Sequence, residues 1–106
     1  MSQQKDKLRE QLQKDCDLSN WKMLHPSFIR DSLFMVDSSL DFMDTCLAAA
    51  CNDDKIIGDY IERGLIKRPD GYEVEKWLQD KPLFHCLVIS PHVFAQLTDI
   101  NMKKDD

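Results

Sequence analysis

The chain has 106 residues, a net charge of −5 and a pI of about 5.1, with 42% hydrophobic and 31% charged residues. That is the composition of one soluble globular domain, large enough to bury a core without disulfide staples. Its longest apolar run, Cys46–Cys51, is six residues, against the roughly 20 a spanning helix needs. No basic cluster exists to neutralise phosphates, so nucleic acid is excluded as the expected partner, and membrane with it.

The opening MSQQKDKLREQ lacks the apolar core of a secretory signal. The cysteines at 16, 46, 51 and 86 form no CxxC pair. Together these features predict reduced thiols in the cytoplasm. One domain is expected over 1–106, ordered from about 4 to 98, with a polar tail over 99–106.

In chain order, Leu8, Leu12 and Cys16 recur every four residues and predict a helix over Gln4–Cys16 that docks by a thin edge. Trp21, Leu24 and Phe28 follow in a stretch read as irregular, because Pro26 disfavours the helical state at His25. Leu33–Val36 is a short apolar run and the first expected strand. Ser38-Ser39-Leu40-Asp41 fits a capping box opening a helix to about Cys51. Asn52-Asp53-Asp54 breaks that helix and caps another, with Ile57, Tyr60 and Ile61 as its stripe. Gly64 stands where a left-handed residue closes a helix. Leu65-Ile66 is long enough only for a short strand.

Asp70-Gly71-Tyr72-Glu73 is a second capping box, for a helix carrying Val74, Trp77 and Leu78 and stopped before Pro82. Leu83–Ile89 is the strongest strand. Phe84, Cys86 and Val88 share one face, and His85, Leu87 and Ile89 the other, so burial on both faces is expected. Val93, Ala95 and Leu97 alternate after Ser90-Pro91. Ser-Pro supplies no positive-φ residue for a tight hairpin, so the strand is expected to bend or bulge at Pro91 and run on, unless that bond is cis. The elements amount to an α+β fold of about four helices on a small, mainly C-terminal sheet.

From Trp21 onward the sequence resembles a small bacterial family, domain of unknown function twenty-two eighty-eight. The likeness is carried by Trp21-Lys-Met-Leu24 with Phe28 and Arg30, Leu33–Val36 through Asp41, Asn52-Asp53-Asp54, Gly64-Leu65-Ile66 with Pro69 and Trp77, and Phe84–Pro91. Tyr60 and His92 depart from it, standing where the family pattern has tryptophan. The resemblance implies the fold and supplies no activity.

Chemistry is sparse. No Cys/His spacing matches a zinc site, so neither metal nor cofactor is expected. Glycines occur only at 58, 64 and 71, which rules out a phosphate loop. Cys51 lies beside Asp53 and Asp54, whose field opposes a thiolate. The weak catalytic candidates are Arg30, Asp37 and Asp41: paired acids beside a cation can do acid–base work or hold Mg²⁺. The preferred reading is a non-catalytic binding module, self-associating as a homodimer through some of Leu87, Ile89, Val93 and Phe94. A small metal-assisted or acid–base enzyme using Asp37 and Asp41 is the alternative.

Overall fold

The structure, a computed structural model, describes residues 2–101, with side chains described for residues 5–98. Five helices and five strands follow in the order α1 (Ser2–Asp15), β1 (Asp17–Asn20), α2 (Trp21–Ile29), β2 (Leu33–Val36), α3 (Phe42–Ala50), α4 (Asp54–Glu62), β3 (Ile66–Lys67), α5 (Gly71–Asp80), β4 (Pro82–Ile89) and β5 (His92–Asn101). One mixed sheet runs β1-β4-β5-β2-β3, antiparallel except where β2 lies parallel to β5. The α+β expectation holds, and most strand residues are C-terminal, with five helices rather than about four.

β4 is the spine of the sheet. Its alternation divides the core in two, as the two-faced apolar pattern predicts. Leu87 joins Leu12, Val36, Phe42, Cys46, Ile66 and Phe94 on one face, under α1, α3 and α4. Phe84 joins Trp21, Leu24, Leu33, Met35, Trp77 and Ala95 on the other, under α2 and α5. Both faces therefore carry helices of the same chain. Val88 is the β4 residue of the second face left exposed.

Three local expectations are corrected. Trp21–Ile29 is helical despite Pro26: Asn20 caps it by accepting from the Met23 N–H at 2.9 Å, and Trp21 and Leu24 are buried with Phe28 packed beside them. Burial along that stripe outweighs the one hydrogen bond proline removes. α3 is capped by Asp41, which accepts from the Asp44 N–H at 2.8 Å, so Ser38 lies outside the helix and forms no capping box with it. At Ser90-Pro91 the expected run-on strand gives way to its stated exception: the bond is cis and the chain turns back, pairing Ile89 with His92.

Other local signals stand. Asp53 caps α4, and Asp70 with Glu73 forms the second capping box. Gly64 closes α4 at φ +75°. In α4, Ile57 and Tyr60 pack inward as expected, but Ile61 is exposed. α5 has one buried residue, Trp77, whose ring meets Trp21 at 5.2 Å and Phe84 at 5.1 Å. β5 continues through Asn101, three residues into the expected tail; the rest of that stretch lies outside the described residues.

Candidate functional site

Asp37 leaves the C-terminal end of β2, and its N–H donates to the Leu65 carbonyl at 2.8 Å, holding the β2–α3 loop against the entry to β3. Its carboxylate accepts from the Ser39 hydroxyl at 2.6 Å and the Ser39 N–H at 3.0 Å. Those two bonds favour the charged form and hold the Asp37 carboxyl below its ordinary range; Lys67 adds a smaller pull in the same direction. Asp41 ends the loop as the α3 cap. Gln96 reaches up from β5 and donates to the carbonyls of Asp37, at 2.9 Å, and Leu40, at 2.8 Å. One buried amide thus braces both halves of the loop.

Asp37 and Asp41 therefore share a loop, but both carboxylates are engaged with backbone donors. Arg30 does not join them. It caps the C-terminus of α2 before β2 starts, whereas Asp37 follows β2. A four-residue strand separates the two ends by about 13 Å. The cation near Arg30 that does pair is Arg68, 3.4 Å from Asp31. The hollow beside the loop, lined in part by Asp37, Ser38, Lys67, Glu73 and Trp77, has a volume of about 90 Å³, the space of about three waters. Within it Lys67 pairs with Glu73 at 3.4 Å.

A model of a protein family of unknown function, DUF2288, matches residues 7–97. The chain belongs to this family. No curated protein matches. Among solved structures, the DUF2288 chain is similar to the one described as the NMR solution structure of PA1075 from Pseudomonas aeruginosa. The TM-score is 0.71 at 25% identity, covering 80% of this chain and 79% of that one. The neighbour shares the fold, and neither the family's description nor the neighbour's carries an activity.

The remaining chemistry-bearing groups of this DUF2288 member are separate from the loop. Cys46 is fully buried in α3, and burial, with Cys16 nearby, pushes its thiol up to about 12. Burial also raises the Cys16 thiol, helped by Cys86 and Asp17, while a bond from the Cys86 N–H pulls the other way. Cys86 lies 3.0 Å from the Ser19 hydroxyl. Cys51 is exposed at the end of α3. Among the described residues, no group of three or more His, Cys, Asp or Glu side chains is placed to hold a metal ion. No helix there is long and apolar enough to cross a membrane.

The proposed interface residues divide. Leu87 (2% exposed) and Phe94 (5%) sit in the core beneath the chain's own helices, while Ile89 and Val93 are half-buried at the hairpin end. Two residues outside the initial candidates matter here. Val88 is 67% exposed, the one residue of its β4 face left open. Gln96 had a legible signal: it shares the inward face with Phe94 two residues earlier, where an apolar side chain is the rule.

Proposed function

We propose that the domain works by non-catalytic association with a second copy of itself, through the hairpin end of β4. One observation carries this reading: β4 outruns its neighbour. β1 pairs with Leu83–Cys86 only, so Leu87–Ile89 extend past its end as an open edge with Val88 exposed.

The backbone direction supports it. The Val93 N–H donates to the Ser32 carbonyl at 2.8 Å, away from β4, so its register partner Val88 aims its own backbone groups away from β5, to the β1 side, as Cys86 does. Alternate residues of a strand aim their backbone groups to the same side, so Val88 offers its N–H and C=O where β1 has stopped. An unpaired edge with an exposed apolar residue is a template for another strand. Leu87, Val88 and Ile89 are uncharged, so a two-fold copy laid antiparallel, Val88 against Val88, meets no like-charge repulsion. Ile89 and Val93 flank that contact, while Phe94 stays interior. The four free cysteines fit a reducing, cytoplasmic setting.

Light scattering at micromolar concentration is the test. The chain mass is 12.4 kDa; a two-fold dimer reads about 25 kDa. Val88→Asp places two carboxylates at the axis and is expected to return the protein to monomer with its melting temperature kept. A wild-type monomer across that range, or a Val88→Asp protein that stays dimeric, overturns the proposal.

A further inference from the structure

We propose that the groove between the start of α2 and the end of α5 binds a small organic anion, an apolar body carrying one carboxylate. The cavity measures about 270 Å³ and is lined by Asn20, Trp21, Lys22, Trp77, Leu78 and Lys81. It is distinct from the Asp37 loop and from the β4 edge.

Its floor is aromatic. The chain's two tryptophans meet there with ring centroids 5.2 Å apart, tilted by 48°. Leu78, 59% exposed, adds an aliphatic wall open to solvent. The rim carries Lys22 and Lys81, and among the described residues no acidic side chain lines the groove. Neither lysine takes part in an ion pair among the described residues; the nearest acid in sequence, Asp80, lines the hollow on the other flank of α5. In a chain of net charge −5, two unpaired cations over an apolar floor select an occupant by charge. A neutral hydrocarbon would leave the lysines unused, and an inorganic anion would leave the indoles unused. The volume lies just below the range of small-molecule sites, about 300–1,000 Å³, which limits the apolar body to one ring or a short alkyl chain.

Lys81 supplies a second argument. It closes α5 in the left-handed region, at φ 51° and ψ 53°, with its N–H donating to the Trp77 carbonyl. Glycine holds such a position with less strain. A purely structural role would be to offset the negative end of the helix dipole. The two roles separate on substitution.

The experiment titrates octanoate into the full chain and follows tryptophan fluorescence, which reports from the groove floor itself; 1-octanol is the uncharged counterpart. A saturable octanoate response is expected, with octanol weaker by about tenfold, the equivalent of one charge contact. Lys22→Gln with Lys81→Gln is expected to weaken octanoate by a similar factor while melting as the wild type does. Lys81→Gly is expected to weaken octanoate while its melting temperature is kept or raised, a combination the purely structural role does not produce. No saturable response, equal binding of octanol, or undiminished binding by the double variant overturns the proposal. Light scattering on the same samples reads association separately, so either proposal can fail alone.

Discussion

Gln96 is the residue on which the shape of the Asp37 loop depends most directly. Its amide makes two hydrogen bonds, to the Asp37 and Leu40 carbonyls, from a buried position on β5. Gln96→Ala removes both, at about 1 kcal/mol each. Asp37 is exposed and Leu40 half-buried, so water can reach the freed carbonyls, and only part of the further penalty for an unsatisfied group applies. The expected loss is about 2–3 kcal/mol, including the lost side-chain stem. For a domain of this length that lowers the melting temperature by roughly 10 °C. Gln96→Glu keeps the size but sets a carboxylate against two carbonyl oxygens. It is expected to lose at least as much at neutral pH and to recover partly in acid, where the protonated carboxyl regains a donor. Thermal and urea melts read both. If both variants melt within about 2 °C of wild type, the amide does not brace the loop and the reasoning is refuted.

Asp41→Ala is expected to cost about 1 kcal/mol by removing the α3 cap, while Ser38→Ala, outside the helix, stays within about 0.5 kcal/mol of wild type in the same melts. The Asp37 carboxyl is held low by Ser39, so its contribution to stability is present above the ordinary carboxylate range and is lost as pH falls through its lowered folded value. In an NMR pH titration Ser39→Ala is expected to move that carboxyl back up, and an unmoved titration rejects the Ser39 contact as the cause. Burial, with Cys16 beside it, pushes the Cys46 thiol up to about 12 in the folded chain, from 9.0. Above about pH 9 the unfolded chain ionises this thiol and the folded one does not, so its share of stability falls as pH rises. Cys46→Ser is expected to flatten that alkaline loss in urea melts, and an unchanged slope counts against it.

Much of the fold was legible because local signals and burial agree. The Leu8–Leu12–Cys16 stripe, the Asp53 and Asp70 caps, Gly64 and the two-faced run over Leu83–Ile89 all appear where the pattern places them. α2 was hidden by Pro26, a local penalty that packing of Trp21, Leu24 and Phe28 overrides. β1, Asp17-Leu-Ser-Asn, has one apolar residue and becomes a strand only by pairing with β4. That dependence on a segment more than sixty residues away leaves no local trace. The candidate site was half legible: Asp37 and Asp41 do share a loop, but nearness in sequence placed Arg30 with them, and β2 carries the two ends apart. At the hairpin end, apolar residues on both strand faces suggest a face needing cover; α2 and α5 cover most of it, and Val88, on that face and at the open edge, stays exposed.

The exchange rate of the Val88 backbone amide, measured by deuterium exchange at two protein concentrations, tests self-association through that edge most directly. An open-edge amide in a monomer has no strand partner and exchanges fast; a copy paired across the two-fold axis protects it. The account predicts protection of Val88 that grows with concentration, while the Cys86 amide, already on the β1 side, changes little. Fast, concentration-independent exchange at Val88 would contradict it.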